Sequence, residues 1–94
     1  MAGTINYKLS VVFIREGKRY IAHSPALDLS TSGRSFAQAK KRFEEAASLF
    51  FEEIMSKGTV ANVLSGLGWT KQRKIWQPPV IISQHIETII PVAV

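Results

Sequence analysis

Between Ile5 and Phe13 every second residue is apolar: Ile5, Tyr7, Leu9, Val11 and Phe13 alternate with Asn6, Lys8 and Ser10. A period of two predicts an extended segment with one face on a core. Val12 and Ile14 interrupt the polar face near its end, which predicts cover on both sides there. Glu16 and Gly17 give a turn signal, and residues 19–23, with Tyr20 and Ile21, predict a second strand. Pro25 stops it, because proline has no N–H to donate and holds Ser24 in extended angles. Residues 27–32 predict a third short strand, with Leu27, Leu29 and Thr31 on one face. Three strands with short links predict an antiparallel meander.

The period then changes. Ser35 is placed as an N-cap, and Gln38 three residues later completes a capping box. Phe36, Ala39, Phe43, Ala46, Ala47, Phe50 and Ile54 recur in steps of three and four, so residues 36–57 predict one long amphipathic helix. Lys57 and Gly58 suit its C-terminal end. Leu49, Phe51 and Met55 add apolar surface beyond a single stripe. Residues 59–67 predict a shorter helix, capped by Thr59 and stopped by Gly66 and Gly68. After a basic, aromatic run at 69–76 and the Pro78-Pro79 pair, residues 80–92 alternate again. Val80, Ile82, Ile86, Ile90 and Val92 share one side, and Ser83, His85 and Glu87 the other. This predicts a final strand, put at a sheet edge by Pro91. The expected class is α+β in the order β-β-β-α-(short α)-β, a three-stranded antiparallel meander plus a C-terminal strand packed on one long helix. No repeat or linker divides it, so residues 1–94 are expected to form a single domain.

Composition narrows the function more than the fold. At 94 residues and 10.5 kDa the chain suits one modest core, and 46% hydrophobic with 20% charged residues excludes a disordered chain. The absence of cysteine excludes a disulfide scaffold, a thiol nucleophile and cysteine-held zinc, and fits a cytoplasmic protein. No apolar run is long enough to span a bilayer, so no membrane role is expected. A net charge of +5 is compatible with nucleic acid or an acidic partner.

The residues assemble no recognisable reaction centre, and the expectation is a protein that is not an enzyme and uses no cofactor or metal. There is no Gly-x-Ser-x-Gly elbow. Gly66 and Gly68 lead into Trp69 rather than a helix, which is not a phosphate cradle. His85 and Glu87 with His23 are metal-ligand types, yet on alternating strand positions they read as a solvent-facing pair. Glu44, Glu45, Glu52 and Glu53 are balanced by Lys40, Lys41, Arg42 and Lys57, the pattern of a solvated helix face. The basic-aromatic run has two readings. Lys71, Arg73 and Lys74 can hold phosphates while Trp69 and Trp76 stack on bases. Alternatively both tryptophans fold inward and the charges solubilise a hairpin.

The order Tyr20, Pro25, Leu27, Thr31, Gly33, Ser35, then Gln38-Ala39 and Glu45-Ala46, resembles the HicB-like antitoxins. Their pattern runs from a hydrophobic strand into a Pro-x-Leu turn, then Thr-x-Gly, a capping Ser or Thr, and two Glu-Ala-like pairs seven residues apart. Gln38 stands where the family usually has Glu. The resemblance covers roughly the first 57 residues and rests on Pro25, Gly33, Ser35, Ala39, Glu45 and Ala46. It implies a partial ribonuclease-H-like fold with the last strand beside the first. The carboxylates that a catalytic version would gather for two metals are represented in the strand region only by Glu16 and Asp28.

The resemblance implies a role in a toxin–antitoxin system, covering a small ribonuclease toxin of the double-stranded-RNA-binding-domain type. Many members also carry a C-terminal DNA-binding domain. Here the expected last strand runs to Val94, so a stand-alone domain without that module is expected. The runner-up is a small nucleic-acid-binding protein using residues 69–76. The apolar edge at Ile89, Ile90 and Val92, with the broad apolar surface of the helix, predicts a homo-oligomer, dimer or tetramer.

Overall fold

A computed structural model describes residues 7–82 and 87–93. The elements are β1 (Val12–Glu16), β2 (Arg19–Ser24), β3 (Leu29–Gly33), α1 (Phe36–Ser56), α2 (Val60–Gly66), β4 (Thr70–Gln72) and β5 (Ile75–Gln77). The class is α+β. β1, β2 and β3 form an antiparallel meander in that order, and α1 packs across β3 and β2.

The alternation of burial holds where it is described, but the first strand begins only at Val12, and residues 7–11 lie in no strand. Tyr7, Leu9, Val11 and Phe13 are half-buried against the core, while Lys8, Ser10, Val12 and Ile14 are exposed. Ile5 and Asn6 lie outside the described residues. The expected cover over both sides does not form, because Val12 and Ile14 sit on the outer sheet face with no layer above them among the described residues.

The third strand begins at Leu29 rather than at residue 27. Residues 25–28 form the loop between Ser24 and Leu29, and Asp28 turns the chain at φ +48°. Aspartate is one of the few side chains that tolerates that region. Ala26 and Leu27 consequently plunge from the loop into the core beside Ile54, Leu64 and Trp69.

The start of α1 is fixed by two devices. Ser35 Oγ accepts from the Gln38 backbone N–H at 3.1 Å, the expected cap. The Gln38 side chain accepts instead from the Arg34 N–H at 2.7 Å, one residue ahead of the usual capping-box partner. Gly33 then permits close approach: a Cβ there would lie 2.6 Å from the Ala39 backbone nitrogen. Thr31 Oγ1 donates to the Ala39 carbonyl at 3.1 Å, and Arg42 to the Ser32 carbonyl at 3.0 Å. Ala39, Phe43 and Ile54 are the buried positions of the stripe, and Ala46, Ala47 and Phe50 are half-buried. Phe36, Leu49 and Met55 remain exposed.

Both helices end in the same motif. Thr59 N–H returns to the Ile54 carbonyl at 2.9 Å and Gly58 N–H to Met55 at 3.2 Å. Trp69 N–H returns to Leu64 at 2.9 Å and Gly68 N–H to Ser65 at 3.1 Å. These are paired Schellman bonds, and Gly68 at φ +89° takes the left-handed position they require. Thr59 does not cap α2 through its side chain. Its hydroxyl faces the Ile54 carbonyl at 3.5 Å, being already committed to the end of α1.

The last predicted element is replaced. The described residues of 80–92, namely 80–82 and 87–92, pair with no strand, while Ser83, His85 and Ile86 lie outside the described residues. Nor does any described strand lie beside β1 on its far side, where the family resemblance placed the last strand. The sheet partners at the C-terminal side are instead β4 and β5, a two-stranded hairpin joined at Arg73 and Lys74. Among the described residues no helix is long and apolar enough to cross a membrane.

Candidate binding surfaces

The six residues of the family-like pattern do not converge on a cleft. Gly33, Ser35 and Ala39 meet where β3 passes into α1, and their contacts are those that seat the helix. Pro25 is exposed at the other end of β3, in the loop that carries Ala26 and Leu27 inward. Ala46 is half-buried, and Glu45 faces solvent. Gly33, Ser35 and Ala39 thus serve the helix start, while Pro25 and Glu45 are exposed away from it.

The basic-aromatic run divides. Trp69 is 3% exposed, and its indole N–H donates to the Ala26 carbonyl at 2.8 Å. Its ring meets Tyr7 edge-on at 5.1 Å and Phe51 at 5.9 Å between centroids. No face of it is left for a base. Trp76 is half-buried, and its carbonyl accepts from the Tyr7 hydroxyl at 2.8 Å. Lys71 is its cross-strand partner, with Nζ 5.9 Å from the ring centroid. Lys71, Arg73 and Lys74 are all exposed. Arg73 and Lys74 both have positive φ, +52° and +68°, so a turn usually made by Asn-Gly carries two cations at its tip.

The solvent side of α1 is mixed in sign, with Lys40, Lys41 and Arg42 exposed in its first half and Glu44, Glu45, Glu52 and Glu53 further along. Glu45, Leu49 and Glu52 succeed one another at spacings of four and three, and Leu49 stands 64% exposed between the two carboxylates. Glu44 is paired with Lys40 at 3.2 Å and Glu53 with Lys57 at 2.7 Å. The Lys57 hydrogen bond, and then its charge, hold the Glu53 carboxyl below the usual carboxylate range and raise Lys57 in return. Both groups are fully exposed, so the pair adds little to stability. Along the flank of α1 run two open apolar grooves. One of about 560 Å³ lies between α1 and α2, reaching Met55 and Trp76. The other, about 760 Å³, lies between Leu9, Val11 and the β1 residue Phe13 on one side and the helix residues Phe43 and Ala47 on the other. Tyr7 and Ser48 line both.

Glu16 and Asp28 lie at opposite ends of β2, one beside Arg19 and the other beyond Ser24, so they do not share a site. The structure does join one pair that the sequence left apart: His23 Nδ1 and Ser30 Oγ are 2.6 Å apart across β2 and β3. Register alone brings them together, and the signal was the equal spacing of the two residues from the loop. His23 has Val12 on its other side, on the flat outer face away from both grooves. A hydrolytic serine needs its histidine oriented by an acid and donors for an oxyanion; neither strand-region carboxylate is a cross-strand neighbour of this pair. His85, the other histidine considered as a ligand, lies outside the described residues, and no group of three metal-ligating side chains gathers among those described.

Comparison with protein-family models, with curated proteins and with solved structures finds no match to this chain.

Proposed function

We propose that this chain is an antitoxin-like binding module that acts by occlusion and performs no chemistry, its partner being a small basic ribonuclease. The observation that carries the reading is the outward face of α1, where exposed Leu49 sits between Glu45 and Glu52. An apolar anchor flanked by two carboxylates suits a basic protein surface: burial of the anchor supplies affinity, and the charges mainly speed encounter. The resemblance around Pro25, Gly33, Ser35 and Ala39 points to the same role, on a partial ribonuclease-H-like frame. The test is a growth assay. A small basic protein encoded beside this chain should arrest growth alone and be neutralised on co-expression. Glu45→Lys with Glu52→Lys should abolish the rescue while leaving the circular dichroism spectrum unchanged. A neighbour that is harmless alone, or whose toxicity persists with this chain present, refutes the reading.

A second reading rests on the β4–β5 hairpin, where Lys71, Arg73, Lys74 and the half-buried Trp76 form a basic tip. Such a tip suits a nucleic-acid backbone, with Trp76 as the stacking surface. Binding of an oligonucleotide should then weaken steeply with salt, since each phosphate contact releases counterions. Changing Lys71, Arg73 and Lys74 to Ala should remove it. Absent or salt-independent binding eliminates this reading.

A further inference from the structure

Among the described residues the sheet is open on the side of β1. With Glu16 and Arg19 closing a two-residue turn, main-chain groups of Val12, Ile14 and Glu16 face β2, and those of Phe13 and Arg15 face outward. No described strand receives them. Beneath that edge lies the groove of about 760 Å³, where Leu9, Val11 and Phe13 part from Phe43 and Ala47. α1 covers β3 and β2 and leaves this wedge unfilled.

The chain also carries a segment that fits such a wedge. Ile81 is the last described residue to pack on its own core. Ile82 is 86% exposed and Ile89 95%, and Ile90 and Val92 are exposed as well. Pro78 and Pro79 precede the segment, and Pro79 lies close to Gly68.

The surface area indicates where the occupant comes from. The chain exposes 7873 Å², against about 5,400 Å² for a compact monomer of this mass. Its radius of gyration is 16.0 Å and its extents 56 × 29 × 22 Å, where a compact chain of this length has a radius of about 12 Å. The excess of about 2,400 Å² per chain exceeds the roughly 800 Å² that each partner of a standard complex buries. Among the described residues of one chain, nothing pairs with the edge and the segment's Ile82, Ile89, Ile90 and Val92 stay exposed.

We infer that two copies of this chain pair by exchange, residues 88–93 of each copy adding as a strand to the open edge of β1 in the other. Ile90 and Val92 lie on one side of that strand and close the groove. Pro91, between them in sequence, turns its N–H-free nitrogen to solvent, as a new edge strand permits. The arrangement is two-fold and closed, so it stops at a dimer. It uses the Phe43 and Ala47 side of α1, about half a turn around the helix from Glu45, Leu49 and Glu52, and does not depend on any toxin.

Light scattering on the full chain should give twice the 10.5 kDa monomer mass. Ile90→Asp with Val92→Asp removes the apolar side of the added strand. Arg15→Pro removes an outward N–H without touching the β1–β2 ladder. Each should run as a 10.5 kDa monomer with unaltered helical circular dichroism. Mixing the two variants should restore a dimer, because the mixture still holds one intact segment and one intact edge. A wild-type monomer at all concentrations overturns the inference. So does a dimer that survives the Ile90/Val92 change, or a mixture of folded variants that stays monomeric.

Discussion

The indole N–H of Trp69 reaches across 43 positions of sequence to the carbonyl of Ala26, at 2.8 Å in the buried core. This bond ties the loop after β2 to the segment after α2. It also gives the buried carbonyl the partner it needs, since an unpaired one costs about 1–3 kcal/mol. Trp69→Phe keeps an aromatic ring and removes the donor. It should lower stability by about 2 kcal/mol, read as a shift in the urea midpoint at unchanged slope.

Gly33→Ala tests the seating of α1. A Cβ at Gly33 meets backbone rather than a flexible side chain, 2.6 Å from the Ala39 nitrogen. Overpacking of that kind costs about 1–3 kcal/mol. Gly66→Ala is the control: nothing lies within 4 Å of its Cβ, and it ends a helix. It should stabilise the fold by about 0.5–1 kcal/mol. Thermal unfolding of both should show opposite signs.

Ser24 is fully buried in β2, and its hydroxyl has no hydrogen-bond partner among the described residues. Ser24→Ala removes an unpaired polar atom at almost constant volume. The variant should equal or exceed the parent in stability, by up to about 1 kcal/mol. A loss of that size instead would mean that the hydroxyl is hydrogen-bonded in solution.

Arg73→Asn with Lys74→Gly gives the β4–β5 turn the residues its positive φ values prefer. Relief of left-handed backbone cost should raise stability by about 1–2 kcal/mol. If the hairpin binds polyanions, the same change should weaken that binding. Opposite movements of melting temperature and oligonucleotide affinity would separate the turn's role in binding from its role in folding.

Particular residues show what the sequence made legible. The alternation from Tyr7 to Phe13 and the Ser35–Gln38 cap need only local chemistry, and both form. The β4–β5 hairpin was only one of two readings of residues 69–76, because Arg73 and Lys74 are not residues that announce a tight hairpin turn. Its stabilising contacts, from Lys71 to Trp76 and from Tyr7 to Trp76, are visible only once the chain is folded. The alternation of Val80, Ile82, Ile90 and Val92 describes a capacity to pair and says nothing of which edge is offered. Of the candidate surface residues, Trp69 looked like Trp76 in sequence. A Schellman ending at Leu64 and Gly68, which carries the next residue inward, sets them apart.

The short links of the meander have a kinetic consequence. A two-residue turn, a four-residue loop and direct passage from Gly33 into α1 keep the contacts among β1, β2, β3 and the start of α1 local. Local contacts close quickly, whereas docking Trp69 onto Ala26 must wait for a much larger loop to close. Both tryptophans of the chain, Trp69 and Trp76, lie in the late-arriving half. Refolding followed by tryptophan emission therefore times the docking of that half and is blind to the birth of the sheet, which far-ultraviolet circular dichroism records first.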